Sequence, residues 1–229
     1  MVDAFEALSE EELERLARLA RDAGYERGED LPEPQEGGEK LYVLKEGRVQ
    51  LYVRLPNEGE ITLSVVEGGS IFGEMAVAGQ GSGKVRARAL VPSLVCTLKT
   101  EALEQLIERN PAVALAVVRM LSERLRQAEV RFAELAHKQV PARLASLILR
   151  LGASEGIVGR EGIRIDTPYT HEQLGTMIGS NREAVTRAMK ELREKGAVRV
   201  VGRRRINLRD REALEREAEA QAPGQSLRT

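Results

Sequence analysis

Residues 170–196 read THEQLGTMIGSNREAVTRAMKELREKG, and the fold turns on them. Thr170 followed three residues later by Gln173 is a capping box, which marks a helix start. Leu174 and Ile178 make that helix's apolar face, and Gly179 stops it. Ser180 and Glu183 repeat the capping-box pattern, so a second helix is expected to begin at Ser180. Two helices joined by a tight glycine turn make a helix-turn-helix. Gly175 lets the helices approach closely, Gly179 supplies a turn residue free to take φ > 0, and Val185 fills the angle between them. The second helix divides by face, with Val185, Ala188, Met189 and Leu192 inward and Arg182, Glu183, Thr186 and Arg187 outward.

The outward residues suit double-stranded DNA. Arginine pairs with O6 and N7 of guanine and glutamate accepts from N4 of cytosine, so Arg182, Glu183 and Arg187 are candidates for base contact. Glu183 has a competing use, either capping its helix or pairing with Arg187 four residues on. Thr170, His171, Ser180, Asn181 and Thr186 border the same face and are candidates for phosphate contact. Downstream, AVRVVGRRRINLRD at 197–210 reads as strand, turn, strand. Arg203, Arg204 and Arg205 lie on the turn of this wing, suited to the DNA backbone. The tail from Glu212 is helix-like and then polar.

Charge follows the same division. Residues 138–229 carry 18 Lys and Arg against 12 Asp and Glu, whereas residues 1–137 carry 17 against 24. A basic end on an acidic body suits a polyanion partner. Aromatic residues make up only 3% of the chain, with no Trp, which disfavours stacking on single strands. No apolar run approaches a membrane span, and the acidic, amphipathic start is unlike a signal peptide. A single cysteine, Cys96, excludes internal disulfides and cysteine-rich metal sites. Neither a Cys/His metal set nor a hydroxyl–His–carboxylate group is apparent, so the expectation is a cytoplasmic, non-enzymatic protein.

Working toward the N-terminus, Pro141 starts a helix over 141–151, with Leu144, Leu147, Ile148 and Leu151 apolar and Gly152 closing it. ASEGIVGREG at 153–162 then reads as a loop and IRIDTPY at 163–169 as a short strand. A hinge is expected at 137–141. Before it, a helix of about 26 residues, or about 39 Å, follows Pro111. Its apolar positions Ala114, Val118, Leu121, Leu125, Ala128, Phe132 and Leu135 are spaced alternately four and three, a heptad seam. The seam suits a two-chain coiled coil; a helix packed on its own domain is the alternative. TEALEQLIERN at 100–110 is a shorter helix. From about Gly24 to Thr97, short β-forming runs are broken by glycine turns, which predicts a sandwich or roll. Residues 9–21 read as a short N-terminal helix with Leu13, Leu16, Leu19 and Ala20 on one face.

Within the roll, AGQGSGKV at 78–85 is nearly a nucleotide triphosphate loop, but Val85 replaces the Mg²⁺-binding hydroxyl. The run from Val85 onward, VRARALV, has a strand pattern where such a loop needs a helix.

A glycine-punctuated roll, a long dimer helix, a hinge and a winged helix-turn-helix together resemble the CRP/FNR family of bacterial transcription regulators. The resemblance spans about Leu8 to Leu208 and is most specific over THEQLGTMIGSNREAVTRAMKEL. It implies an α+β fold: an N-terminal β-roll of the cyclic-nucleotide-binding, jelly-roll kind with flanking helices at 1–110, a dimerisation helix at 111–137, and a winged helix-turn-helix domain at 138–229. It implies a homodimer that binds a TGTGA-like palindrome through the residues matching Arg182, Glu183 and Arg187. It also implies an activator that contacts RNA polymerase, with SEGIVGREG matching the region some members offer to the polymerase α subunit.

The glycine-rich stretch resembles the family's phosphate-binding cassette, where cyclic AMP sits. Gly73 and Glu74 are retained, but the phosphate arginine's position falls on Gly83 and the serine's on Lys84. Ala128 and Glu129 stand where cyclic-AMP receptors place Thr and Ser. Losing an Arg–phosphate pair removes about 1.5–3 kcal/mol, and Glu129 would repel an anion. Lys84, Arg86 and Arg88 are the available substitutes. The resemblance therefore implies a member that acts without cyclic AMP and without another cofactor. The alternative is a regulator gated by a different small molecule in the roll. The family's iron–sulfur sensors need N-terminal cysteines, which are lacking, and its haem sensors need ligands in the roll, which His137 and His171 lie outside.

Overall fold

The computed structural model describes residues 20–32, 40–56, 59–73, 85–160, 162–202 and 205–220. The chain divides into two compact units, with the boundary between Ala128 and Glu129.

The first unit is a roll of two antiparallel sheets. One sheet has the order β1-β7-β2-β5, built from β1 (Arg21–Tyr25), β2 (Lys40–Glu46), β5 (Ser70–Phe72) and β7 (Ser93–Lys99). The other has the order β4-β3-β6, from β3 (Arg48–Arg54), β4 (Glu60–Glu67) and β6 (Val85–Ala89). The run LYVL in β2 is continuously apolar because both faces of its sheet are covered. Leu41 and Val43 join Cys96 and Leu98 in a core closed by Leu103 and Leu106 of α1 (Thr100–Arg109) and Val113 and Ala116 of α2 (Pro111–His137). Tyr42 and Leu44 point the other way, packing with Val49, Val66, Phe72 and Val95 between the sheets. Gly47 turns β2 into β3 at φ 95°, where a Cβ would overlap Ser93 and the Pro92 carbonyl. Arg124 of α2 donates to the Ile71 carbonyl of β5. Residue 21, expected in an N-terminal helix, instead begins β1, which pairs with β7 from Arg21↔Thr97 onward. Ala20, also expected in that helix, is not helical; the rest of it, residues 9–19, lies outside the described residues.

The second unit centres on α3 (Val140–Glu155), against which α4 (His171–Ile178), α5 (Arg182–Glu194) and α6 (Arg211–Glu219) pack. A four-stranded antiparallel sheet has the order β10-β11-β9-β8. Its strands are β8 (Gly156–Gly159), β9 (Gly162–Ile165), β10 (Val198–Val201) and β11 (Arg205–Leu208). Three expectations are corrected by this unit. The helix over 141–151 does not close at Gly152 but runs to Glu155. Gly152 is an interior packing residue, since a Cβ there would come within 2.8 Å of Leu208 Cδ2. The stretch 153–162 is not a loop: its first three residues end α3, and Gly156–Gly159 in its middle form β8, paired with β9 through Ile157↔Arg164 and Val158↔Ile163. The strand expected over 163–169 ends at Ile165.

Candidate nucleic-acid interface

Thr170 opens α4 with both halves of a capping box: its Oγ1 accepts from Gln173 N at 3.0 Å, and Gln173 Oε1 accepts from Thr170 N at 2.9 Å. The approach to this cap is held by α3, because Tyr169 Oη donates to Glu155 Oε1 at 2.7 Å. Gly179 ends α4 in the left-handed region, at φ 61°. The guanidinium of Arg143, from α3, donates to the Ile178 carbonyl at 2.7 Å, covering a carbonyl that a helix end leaves without a partner. Burial pushes Arg143 below the usual arginine range, with Glu134 opposing it. Gly175 allows the close crossing, since a Cβ there would lie 2.7 Å from the Ser180 carbonyl oxygen.

The second helix starts one residue later than the sequence pattern suggests. Asn181, not Ser180, is the cap, and its Oδ1 accepts from Ala184 N at 2.8 Å. Ser180 is consumed by the turn, donating its N–H to Gly175 O at 2.9 Å, and asparagine caps as well as serine. Glu183 is thereby released from the capping role. Val185, Ala188, Met189 and Leu192 are buried, whereas Arg182, Glu183, Thr186 and Arg187 are exposed or nearly so. Among the described residues, no ion pair or hydrogen bond engages the side chains of Arg182, Glu183 or Arg187. Thr186 Oγ1 donates to the Arg182 carbonyl at 2.8 Å. It must therefore accept from His171 Nδ1, also 2.8 Å away, which places the Nδ1 proton from the network. The structure thus gathers His171, Asn181, Arg182, Glu183, Thr186 and Arg187 around one surface.

The wing is β10, a turn with Gly202 at φ 56°, and β11. Arg203 and Arg204 lie outside the described residues. Arg205 is exposed, with Nε 3.4 Å from Asp166 Oδ1, a carboxylate it shares with Arg164 at 3.4 Å. So open a pair is worth little and does not withhold Arg205 from a stronger anion.

Two family models fit the chain: a cyclic nucleotide-binding domain over residues 24–110 and a Crp-like helix-turn-helix domain over 142–217. A global nitrogen regulator of Nostoc sp. (strain PCC 7120) is 32% identical over 178 residues, covering 77% of this chain and 80% of its own. The chain belongs to the CRP/FNR family of transcription regulators. A CRP-like cAMP-activated global transcriptional regulator of Mycobacterium tuberculosis is 25% identical over 214 residues, 93% of this chain and 95% of its own. The solved structure of a CRP-family transcriptional regulator from Thermus thermophilus superposes with a TM-score of 0.74 at 30% identity, covering 86% of this chain and 97% of that one. The CRP/FNR membership makes this a DNA-binding transcription regulator with a cyclic-nucleotide-binding-like domain. No helix among the described residues is long and apolar enough to cross a membrane.

In this CRP/FNR protein, Gly73 follows β5 at φ 85°, while Glu74, Gly83 and Lys84 lie outside the described residues. Arg86 sits on β6 opposite Tyr52. Arg88, one of the substitutes for the missing phosphate arginine, is already committed. It donates to Asp30 Oδ1 at 2.7 Å, to Glu60 Oε2 at 2.7 Å and to Tyr52 Oη at 2.8 Å, with its guanidinium 4.5 Å from the Tyr52 ring centroid. Burial alone would lower Arg88, but Glu60 and Asp30 raise it above the usual range. Burial likewise raises Asp30, and the bonds from Arg88 and Tyr52 outweigh it, holding the carboxyl below the ordinary value.

Ala128 and Glu129 are exposed on α2. So are the seam residues Val118, Leu121, Leu125, Phe132 and Leu135, with Phe132 75% accessible. Leu135 also contacts the turn between α4 and α5: its Cδ2 would lie 2.9 Å from a Cβ on Gly179. Beside it, Glu134 is buried and pairs with Lys138 at 3.1 Å and Arg150 at 3.1 Å, fixing the last turns of α2 to α3. Sequence reasoning missed Glu134 and Arg143. The four-residue spacing of Glu134 and Lys138 is a signal for the first; the second has none, because its acceptor lies 35 residues away.

Proposed function

We propose that this regulator binds a TGTGA-like palindrome as a homodimer, reading bases with Arg182, Glu183 and Arg187, and activates transcription through RNA polymerase without needing cyclic AMP. The observation that carries the reading is the unengaged trio on the first two turns of α5, where a recognition helix meets base edges. His171, Asn181, Ser180, Thr186 and Thr170 border it and serve the phosphates, with the wing arginines beyond. The exposed seam of α2 supports pairing, because a narrow apolar stripe of this period is covered by an identical helix. Residues 1–110 then act as a sensor-like roll, 111–137 as the dimerisation helix and 138–229 as the DNA-binding domain, in the cytoplasm. The β8–β9 hairpin, with Val158 82% exposed, is the surface offered to polymerase. The commitment of Arg88 to Asp30 and Glu60 supports independence from cyclic AMP, since that cation is not available to a phosphate.

The test is a titration of purified protein onto a labelled TGTGA palindrome, with and without cyclic AMP. Binding that prefers the palindrome and changes less than about twofold on adding the nucleotide is expected. Binding that requires the nucleotide contradicts the effector claim, and equal affinity for a scrambled duplex contradicts the site.

A further inference from the structure

The exposed stripe of α5 does not stop at Arg187. At about 100° per residue, Arg182, Glu183, Thr186, Arg187, Lys190 and Arg193 share an arc of about 140°, opposite the buried residues. At its far end the stripe opens into a cleft of about 520 Å³ between α5 and β10. Lys190, Arg193, Arg199 and Arg209 line it, against one carboxylate, Glu194. The floor carries Gly196, where a Cβ would meet nothing within 4 Å, so the space is open to a ligand. Glu194 approaches Lys190 at 3.7 Å, an exposed pair that neutralises little. Among the described residues, the guanidinium groups of Arg193 and Arg209 have no ion-pair or hydrogen-bond partner.

We infer that this cleft is a second DNA-contact site, holding backbone phosphates where the far end of α5 meets the wall of the major groove. The inference rests on the DNA reading above. Lys190 lies about 12 Å along the helix from Arg182, comparable to the roughly 12 Å width of the major groove. A helix whose first two turns reach base edges therefore carries its last turn to the sugar-phosphate wall. Four cations drawn from a helix, a strand and the end of β11 form a concave, aromatic-free surface, which suits a run of phosphodiesters and offers nothing to stack on a base. The contact is sequence-independent, in contrast to Arg182, Glu183 and Arg187.

The test compares the native chain with Arg193→Ala/Arg209→Ala on the palindrome and on a random duplex across a salt series. Each neutralised phosphate adds about 0.9 to the slope of log K against log salt. The double variant should lose a slope of about 2 on both duplexes. Its disadvantage should accordingly shrink about tenfold between about 50 and 200 mM salt. Base preference in the palindrome should not change. An unchanged slope, or a loss confined to the palindrome, overturns the cleft while leaving the reading by α5 intact. A native chain that binds no duplex overturns both. Inorganic tripolyphosphate bound by the native chain and lost in the variant, with the DNA slope unchanged, makes the cleft a small-anion site and also overturns the inference.

Discussion

Replacing Gly175 by alanine sets two effects of opposite sign against each other. Alanine in a helix interior is favoured over glycine by about 1 kcal/mol, so propensity alone predicts a more stable α4. The added methyl, however, would stand 2.7 Å from the Ser180 carbonyl oxygen. That atom is backbone, in a turn fixed by Gly179 in the left-handed region and by the Ser180 N–H bond to Gly175 O. It cannot rotate away, so α4 and α5 must separate by about 0.7 Å to restore normal contact. Overpacking of this kind costs about 1–3 kcal/mol, which exceeds the propensity gain over most of that range. The net expectation is destabilisation of about 1 kcal/mol, with α5 and its buried Val185 displaced from α4. Hydrogen exchange across residues 176–189 of the full chain should speed about fivefold, and affinity for the palindrome should fall. Slower exchange in the variant would mean that propensity wins, and would refute the close-crossing account of the turn.

Other outcomes follow from named contacts. Arg182→Ala should cost about 1–3 kcal/mol of DNA binding and relax one base preference, measured by competition among single-position variants of the site. Leu125→Glu with Phe132→Glu should leave the chain single in sedimentation, because two charges enter the apolar seam. Asp30, held below its usual pKa, adds stability that is complete above about pH 4 and is lost as pH falls through its folded-state value. Arg88→Met removes that contribution, so unfolding midpoints of the native and variant chains should converge on acidification. A constant gap would show that the depression of Asp30 does not arise from Arg88.

The helix-turn-helix is legible because its signals are local: a capping box at Thr170 and Gln173, a glycine stop, and an apolar face at Val185, Ala188, Met189 and Leu192. The start of α5 reads one residue early because Ser180 and Asn181 are adjacent and equally good caps, and only the turn geometry chooses between them. Gly152 reads as a helix end because glycine marks both caps and close packing, and the packing partner, Leu208, lies far along the chain. β8 escapes notice for a similar reason: four residues flanked by glycine become a strand only when β9 pairs with them. The commitment of Arg88 depends on Asp30, 58 residues away, and no local pattern announces it. The basic cleft is of the same kind, since α5, β10 and the end of β11 supply its cations.

The central claim is that a pair of these chains reads an inverted repeat through two copies of α5. Selection of duplexes bound by the purified chain from a random pool, with no effector added, tests it most directly. The account predicts enrichment of an inverted repeat containing a TGTGA-like core, with half-site centres about one helical turn or a whole multiple of it apart. A pool that stays random, or that yields a single unpaired motif, would contradict it.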